Sequence, residues 1–151
     1  MDMTYPSWTH QGRIYNDLTD FPENTYGFIY EVLHMPTGLK YLGKKVLFFN
    51  RTLPPLKGQK RKRKVVKESD WKEYYGSHPK IKELLKECKE DNNYAVWDKK
   101  ILNICMSKKE LTYFECKYLF INEVLETYSH QYINDNILGK FYRKDFIHET
   151  K

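Results

Sequence analysis

Two tyrosines, eleven residues apart, stand in a segment that has the pattern of a β-hairpin. Tyr30 lies in a run rich in aromatic and β-branched residues, and Tyr41 lies in an alternating run after the turn signal at residues 35–38, MPTG. In a tight hairpin this spacing brings both side chains onto neighbouring strands near the same level. Two adjacent phenols can hold a water molecule between them, and Gly43 lets a backbone or a substrate come close. The pattern therefore favours a site that orders water.

A dense run of positive charge is the second candidate for chemistry. Residues 57–67 read KGQKRKRKVVK, with seven basic residues and no acidic one, in a chain whose net charge is +6. The rest of the chain is therefore close to neutral. Unpaired charges are costly to bury, so the run is predicted to be an exposed loop. Each cation that meets a phosphate releases condensed counterions, which favours strong, salt-dependent nucleic-acid binding. A solvated loop or a localisation signal would have the same composition.

A glutamate on a predicted helix, Glu115, is the third candidate for chemistry. Residues 107–110 (SKKE) have the pattern of a capping box, so a helix is predicted to begin there. Apolar residues then recur at steps of three and four, as in a helix that faces a core. They are Leu111, Phe114, Tyr118, Ile121 and Leu125. The stripe centres near Leu125, and Glu115 falls to one side of it. A carboxylate at the margin of a buried face is well placed to line a cleft.

The remaining sequence patterns predict the helices and strands that would position these residues. Beyond the hairpin, the patterns predict a short helix in residues 69–75, a helix that begins near Pro79, and a third strand over residues 94–105. One face of the second helix is predicted to be apolar, with Ile81, Leu84, Leu85 and Cys88. The predicted fold class is α+β: a small three-stranded antiparallel sheet flanked by helices, with a long basic loop after the first hairpin.

Length and composition fit one domain. The chain has 151 residues, and 40% of them are apolar, which is enough for a core. Residues 1–24 are predicted to be an irregular leader packed on the domain, residues 25–135 the domain itself, and residues 136–151 a tail. No run approaches the ~18 apolar residues of a membrane helix and no secretory segment is visible, so we expect a cytoplasmic protein without a membrane partner. Three cysteines and five scattered histidines lack the spacing of a zinc site.

The order and spacing of these residues resemble the signature of the GIY-YIG nuclease superfamily, whose members cleave DNA with a divalent metal on a three-stranded sheet flanked by helices. Residues 28–30 (FIY) stand at the first triplet of the family, with Phe28 in place of glycine, and residues 41–43 (YLG) stand at the second. The chain looks closest to short phage-encoded proteins related to Seg-type homing endonucleases, from about Tyr26 to Asn134. The stretches that carry this likeness are GFIY, KYLGKK, TLPPLKGQKRKRKV, ESDWKEYYGS and the FE of the last helix.

The resemblance implies further catalytic residues. The family has an arginine, often with a histidine or lysine four residues later, and Arg63 with Lys67 has this spacing. The family glutamate on a helix corresponds to Glu115, and its asparagine after the helix corresponds best to Asn134. The gap from the second triplet to Arg63 is longer than in compact members. Arg51 and Arg61 therefore stay open as alternatives, and Lys45 could share the arginine's role.

The chemistry implied is hydrolysis of a phosphodiester. Glu115 would hold one Mg²⁺ or Mn²⁺, because Mg²⁺ keeps several waters and takes only one or two protein oxygens. Arg63 would offer its donor fork to the phosphate, Tyr30 would be the general base, and Tyr41 would order the same water. A free phenol has a pKa near ~10, so Tyr30 would need a cation that lowers its pKa. Asn134 would orient Glu115 or a phosphate.

DNA is the partner that the charge and the resemblance imply. The expected contacts to DNA are Lys44, Lys45, Lys57, Lys60, Arg61, Lys62 and Lys64. Trp71 would either support the basic loop by packing, which is the favoured interpretation, or stack on a splayed base. A homodimer on DNA, or sequential nicking, would allow both strands to be cut.

Two other functions compete with a metal-dependent DNA endonuclease. A non-catalytic nucleic-acid-binding module would keep the scaffold and the basic loop. A small protein-binding factor would use that loop to meet an acidic partner. The preferred DNA structure, the number of strands cut and the biological role stay open.

Overall fold

The computed structural model describes residues 5–126 and 131–146. Two α-helices, α1 (Pro79–Asp91) and α2 (Lys108–Ile121), accompany strands that fall into one main sheet and two small ribbons. In chain order the strands are β1 (Trp8–His10), β2 (Arg13–Tyr15), β3 (Gly27–His34), β4 (Leu39–Val46), β5 (Phe48–Leu53), β6 (Arg63–Glu68), β7 (Trp97–Cys105), β8 (Asn136–Ile137) and β9 (Phe141–Tyr142). The fold class is therefore α+β, as predicted.

The main sheet has five strands in the order β2-β1-β7-β3-β4, so the prediction of three strands is wrong. The predicted part is its antiparallel half, β7-β3-β4. The other two strands come from the segment that was expected to be irregular. There β1 and β2 form a hairpin across Gln11 and Gly12, both at positive φ, and β1 pairs in parallel with β7. Strands of three residues are too short to show a period, which is why the sequence pattern did not reveal them.

Helices cover both faces of this sheet. Side chains alternate along β3, so Phe28 and Tyr30 pack on one face with α1, whose Ile81, Leu84 and Cys88 are buried as predicted. On the other face Ile29 packs with α2. The predicted short helix near residue 70 is a single 3₁₀ turn, Trp71–Glu73. Neither helix in the described parts of the chain is long and apolar enough to cross a membrane.

Helix α2 begins where the sequence predicted, but it buries a different stripe. The Ser107 hydroxyl accepts a hydrogen bond from the Glu110 amide, and the helix then ends at Ile121, which is 63% exposed. Leu125 is buried from a turn beyond the helix end. The buried residues of the helix are Leu111 and Leu119, each four positions from Glu115. The carboxylate therefore lies in the middle of the packed face and not at its margin.

The segment that was predicted as a long basic loop is mostly an antiparallel ribbon, β5 paired with β6. Every residue of β6 is exposed, and so are four of the six residues of β5. Because neither face of the ribbon enters the core, its strands show no apolar alternation, and the pattern resembled a loop. Residues 54–62, between the strands, are the only part of this segment that is a loop.

Candidate active site

The paired tyrosines meet because one position of the neighbouring strand has no side chain. Tyr30 on β3 lies opposite Gly43 on β4, and a Cβ atom on Gly43 would come within 2.7 Å of the Tyr30 hydroxyl. Tyr41 is offset by two residue pairs, since it lies opposite Val32, and the two phenol rings are 6.3 Å apart between centroids. The hairpin therefore brings the phenols together diagonally, and the glycine provides the space for the Tyr30 hydroxyl.

A third phenol belongs to this group. The ring of Tyr74 stands nearly perpendicular to that of Tyr30, at 89°, with 5.9 Å between centroids. Tyr30 is fully buried, and this burial raises the pKa of its phenol well above the ordinary value of 10; the hydroxyls of Tyr74 and Tyr41 raise it further. Burial also raises the pKa of Tyr41, against a hydrogen bond from Ser77. Without a bound cation, both phenols are therefore neutral at pH 7.

A buried cation, Lys45, lies against the third phenol, Tyr74. Its side chain is buried, its ammonium lies 3.9 Å from the centre of the Tyr74 ring, and it forms an ion pair with Asp70 at 2.6 Å. It follows Tyr41 and Gly43 at steps of two along β4, so all three face the same side of the sheet. Lys45 was expected to contact DNA and, as an alternative, to share the arginine's role. The structure places its ammonium against the Tyr74 ring and the Asp70 carboxylate, and both roles stay predictions.

Glu115 meets Tyr41 in a cavity at the outer edge of the sheet. The cavity holds about 360 Å³, and its walls include Tyr41, Lys44, His78, Glu115 and Asn134. Although Tyr41 and Glu115 belong to opposite faces of the sheet, β4 is the edge strand, so side chains from both faces reach the cavity. A larger cavity of about 500 Å³, beside Phe21 and Leu47, has Glu23 as its one charged lining residue, which makes it a poor candidate for chemistry.

The carboxylate of Glu115 is held between burial and a lysine. Its side chain is 19% exposed, and the ammonium of Lys44 lies 3.6 Å from one of its oxygens. Burial raises the pKa of Glu115, while the charge of Lys44 and a hydrogen bond from it act in the opposite direction. Lys44, expected to contact DNA, also contacts the Thr112 hydroxyl. In this state it neutralises the carboxylate instead of facing solvent freely.

Asn134 is fixed by the backbone of β4. Its side-chain amide donates to the carbonyl of Leu42 at 2.7 Å, and its side-chain oxygen accepts from the amide of Leu42 at 3.1 Å. Asn134 therefore extends the sheet by one residue, next to two backbone hydrogen bonds between Lys40 and residues 131 and 133. It lines the cavity that holds Glu115, but its own polar atoms are occupied by the strand.

Two residues that the sequence analysis missed support this edge. The guanidinium of Arg143 donates to the carbonyls of Tyr132 and Asn134, at 2.7 and 2.6 Å. His78 caps α1 by accepting from the amide of Lys80, which leaves its other ring nitrogen to donate to Asp135 at 2.7 Å. The N-cap position of His78, directly before Pro79, was visible in the sequence. Nothing in the local pattern pointed to Arg143, because its partners are backbone carbonyls.

The donor set around Glu115 fits a hydrated divalent ion. One half-buried carboxylate faces a cavity that has room for several waters, and Mg²⁺ needs only one or two protein oxygens. Within residues 5–126 and 131–146 no group of three or more His, Cys, Asp or Glu side chains is placed to hold an ion. The described residues therefore suit a weakly held ion that shares its ligands with water and substrate. They do not suit a structural metal.

The arginine assigned by spacing lies away from the phenols. Arg63 pairs with Leu53 at the far end of the ribbon, about 17 Å along the strand from Glu68, and donates to the carbonyl of Pro54. Lys67, opposite Phe49, lies near the base of the ribbon and is exposed. Arg51 is on the ribbon as well, so neither strand brings an arginine to Tyr30. The other expected DNA contacts, Lys57, Lys60, Arg61, Lys62 and Lys64, are all exposed on this ribbon or its loop.

Trp71 packs in the core and does not reach a base. It is fully buried, its indole N–H donates to the carboxylate of Glu68 at 3.0 Å, and its carbonyl accepts from the indole of Trp8 at 2.6 Å. The structure therefore agrees with the packing interpretation, and in this state the indole has no exposed face on which a base could stack. Its place beside the last residue of β6 means that it anchors the ribbon to the body.

The described residues form an α+β domain with phenols on the edge hairpin of its sheet and a helix glutamate in the adjoining cavity. A family model described as "Putative endonuclease segE, GIY-YIG domain" matches residues 8–137. The chain belongs to this GIY-YIG nuclease family of the Seg type. The match begins at β1, so the N-terminal hairpin lies within the family domain. Searches of curated proteins and of solved structures find no match.

Proposed function

We propose that the protein is a divalent-metal-dependent DNA endonuclease that hydrolyses phosphodiester bonds at the edge of β4. The observation that carries the proposal is one cavity lined by the Glu115 carboxylate and the Tyr41 phenol. The Tyr30 hydroxyl lies in the space that Gly43, which has no side chain, leaves free. These groups come from three elements, and the family match concerns the same part of the chain. Carboxylate and phenols in a small polar cavity suit hydrolysis better than recognition alone.

Each side chain has a task that follows from its surroundings. Tyr30, whose phenol is neutral, aligns the attacking water and takes its proton only after a positive charge nearby lowers its pKa. Tyr41 lines the cavity and orders the same water. Glu115 would bind Mg²⁺ or Mn²⁺, which supplies positive charge to the phosphate oxygens and to the leaving oxygen. Asn134 fixes the strand that carries Tyr41, and so positions the phenol without touching substrate.

We assign the phosphate-facing cation to Lys45 ahead of Arg63. Lys45 lies beside Tyr74, which in turn contacts Tyr30, whereas Arg63 lies at the far end of the ribbon. An ammonium beside the Tyr74 ring attracts a phosphate towards the phenols. Lys44 must leave Glu115 when the metal binds, and it is then free to contact the DNA backbone.

The decisive experiment compares two glutamates of one helix. Supercoiled plasmid is incubated with wild type, Glu115→Gln and Glu110→Gln, with Mg²⁺ and with EDTA. We expect wild type and Glu110→Gln to nick or linearise the plasmid with Mg²⁺ alone, and Glu115→Gln to lose at least about a thousandfold in rate. Retention of DNA by Glu115→Gln, in a gel-shift assay without metal, separates lost chemistry from lost binding. Equal cleavage by the two variants would contradict the proposal.

Two observations favour a second candidate, a nucleic-acid-binding module without catalysis. The Tyr30 pKa is raised and Lys44 neutralises Glu115, so the described state resembles an inactive site. That candidate predicts retention of DNA, no cleavage with any divalent metal, and no effect of Tyr30→Phe. The plasmid assay with Mg²⁺, Mn²⁺ and Tyr30→Phe distinguishes the two.

One further feature of the proposal concerns assembly. One cavity can cut one strand at a time, so we propose that a double-strand break requires a homodimer on DNA or two successive nicks. Sedimentation with and without a short duplex tests this.

We place the activity in the cytoplasm because Cys88, Cys105 and Cys116 are unpaired thiols, which fits a reducing compartment.

A further inference from the structure

Within residues 5–126 and 131–146, no further strand pairs with the ribbon of β5 and β6. Its strands pair over six positions, from Phe48 opposite Glu68 to Leu53 opposite Arg63. Only Phe49 and Leu53 are partly buried, and every other strand residue is exposed. Two-stranded ribbons are marginally stable alone in water and usually bury one face. An anchored ribbon with both faces exposed is therefore a candidate for a contact with another molecule.

The register gives the two faces different chemistry. In an antiparallel pair, directly opposed residues point to the same side. One side, here called the cationic face, has three cations, three apolar side chains and no polar neutral residue. Its members are Phe49, Arg51, Leu53, Arg63, Val65 and Lys67. The opposite side has one cation, one acid and two neutral polar residues. Its members are Phe48, Asn50, Thr52, Lys64, Val66 and Glu68.

The cationic face is continuous with the active site. The ammonium of Lys45 lies 5.1 Å from the centre of the Phe49 ring and 3.9 Å from that of Tyr74. Phe49 is the first residue of the cationic face, and Tyr74 contacts Tyr30. A nucleic acid with a phosphate beside the phenols would therefore meet the cationic face of the ribbon, and not the opposite face.

We propose that the cationic face lies in the major groove of duplex DNA and reads bases beside the cleaved phosphate. The inference rests on the proposed function, which makes DNA the substrate. The major groove of B-DNA, ~12 Å wide, admits a two-stranded ribbon, whereas the major groove of A-form RNA is too narrow for side chains to read. Arg51 and Arg63 offer guanidinium forks that match the edge of guanine, and Val65 is apolar, as contact with a thymine methyl requires.

The length of the ribbon limits the number of base pairs that its side chains can contact. Six strand residues extend about 17 Å, and successive base pairs are ~3.4 Å apart, so the paired part of the ribbon spans about five base pairs. The preference is therefore confined to about five base pairs on one side of the cut. Arg51, near the middle of β5, reads a guanine inside that window.

The test selects binding sites without cleavage. Chains with Glu115→Gln are incubated in EDTA with a library of duplexes that have a randomised window, and bound duplexes are sequenced. Variants with Arg51→Ala, Arg51→Lys and Asn50→Ala are compared in the same background. We expect a guanine preference that falls about tenfold or more with Arg51→Ala and with Arg51→Lys, and that Asn50→Ala leaves in place. Methylation of guanine N7, which marks the major groove, should interfere with binding at the same position.

Each outcome decides one proposal. An absent base preference, or one that Arg51→Ala leaves unchanged, overturns the groove assignment, even if wild type cleaves plasmid. Equal affinity for duplex RNA overturns the groove assignment as well, because the major groove of A-form RNA is too narrow to admit the ribbon. A guanine preference that depends on Arg51, in a protein that cleaves no plasmid, supports the groove assignment and refutes the nuclease. Circular dichroism of each variant confirms that the exposed substitutions leave the fold intact.

Discussion

The phenol site and the ribbon meet at Lys45, yet they are built in opposite ways. Around Tyr30 the side chains are buried, and a single added methyl group at Gly43 would collide with the phenol. On the ribbon almost every side chain is exposed, and a Cβ on Gly58, in its loop, would meet no atom within 4 Å. Chemistry needs atoms fixed to fractions of an ångström, whereas attraction to a phosphate backbone depends on charge and tolerates movement. Substitutions should therefore separate the two regions.

The largest effect is expected at Gly43. A Cβ there would lie 2.7 Å from the Tyr30 hydroxyl, 2.9 Å from its ring carbon and 3.1 Å from Tyr41. We expect Gly43→Ala to lower the free energy of unfolding by about 3 kcal/mol, since the packed cluster has no room to relax, and to reduce plasmid cleavage at least about a hundredfold. Urea denaturation and the nicking rate measure the two effects.

The ribbon supplies the control for Gly43. Gly58→Ala should cost about 1 kcal/mol or less, because its φ of +86° is strained for alanine but the surrounding space is open. The double variant Gly43→Ala with Tyr30→Phe removes the hydroxyl that collides, so it should regain part of the lost stability while staying inactive. A Gly43→Ala protein as stable as wild type would show that the phenols are not packed as described.

The second effect is expected at Asn134. Asn134→Ala leaves the amide and the carbonyl of Leu42 without partners in a buried position, which should cost about 2 kcal/mol in the free energy of unfolding. Asn136→Ala is the matched control, since its side chain accepts one exposed hydrogen bond from Gly139. It should cost less than about 0.5 kcal/mol. If Asn134→Ala lowers cleavage at unchanged stability, the asparagine touches substrate and is not a positioning residue.

The part of the fold that could be predicted was the part with long elements that pack in the core. The hairpin of β3 and β4, helix α1 and strand β7 each bury side chains in one or both core clusters, so their composition or apolar pattern revealed them. The N-terminal hairpin has strands of three residues, and the ribbon has water on both faces, so neither has a period to read. Helix α2 was predicted, but its stripe was misplaced, because the helix ends at Ile121 while the apolar pattern continues.

The candidate active site, like the fold, could be predicted from the sequence only in part. Spacing predicted that the two phenols and the glycine lie together, and the family resemblance pointed to Glu115, although the predicted position of Glu115 at the margin of the helix face was wrong. Arg63 could not, because its distance from the phenols depends on the ribbon, which the sequence did not reveal. Contacts between side chain and backbone, such as those of Asn134 with Leu42 and of Arg143 with Tyr132, leave no pattern in sequence at all. Residues 1–4 of the predicted leader, residues 127–130, and the end of the predicted tail, residues 147–151, lie outside the described residues.

The third prediction contrasts the exposed cations of the ribbon with a buried one, Lys99. Its ammonium lies 4.3 Å from the ring centres of both Trp8 and Tyr75 and donates to the carbonyl of Lys72. Burial lowers the pKa of Lys99 to about 7, against an opposing effect of Glu73. Above pH 7 the unfolded chain keeps a proton that the folded chain releases, so this lysine makes stability rise with pH up to its unfolded pKa near ~10.4.

The measurement is the difference between wild type and Lys99→Met. From pH 6 to pH 8.5 the free energy of unfolding of wild type should rise by about 2 kcal/mol relative to the methionine variant, because only wild type releases the proton. Urea denaturation at both pH values gives the difference. Lys64→Met, on the exposed ribbon, is the control and should show no such change. A difference that is constant across this range would mean that Lys99 stays charged between its two aromatic rings.

The smallest effect on stability, and a clear one on binding, is expected at Lys67. Both Lys67→Ala and Lys64→Ala remove one exposed charge from β6, so each should change the free energy of unfolding by less than about 0.5 kcal/mol. The two lysines point to opposite faces of the ribbon, and only Lys67 is on the cationic face. In a plot of log affinity for duplex DNA against log salt concentration, Lys67→Ala should reduce the slope by ~0.9 for the lost phosphate contact, and Lys64→Ala should reduce it less. Equal slopes for the two variants would mean that the ribbon attracts DNA by its charge alone, with neither face preferred.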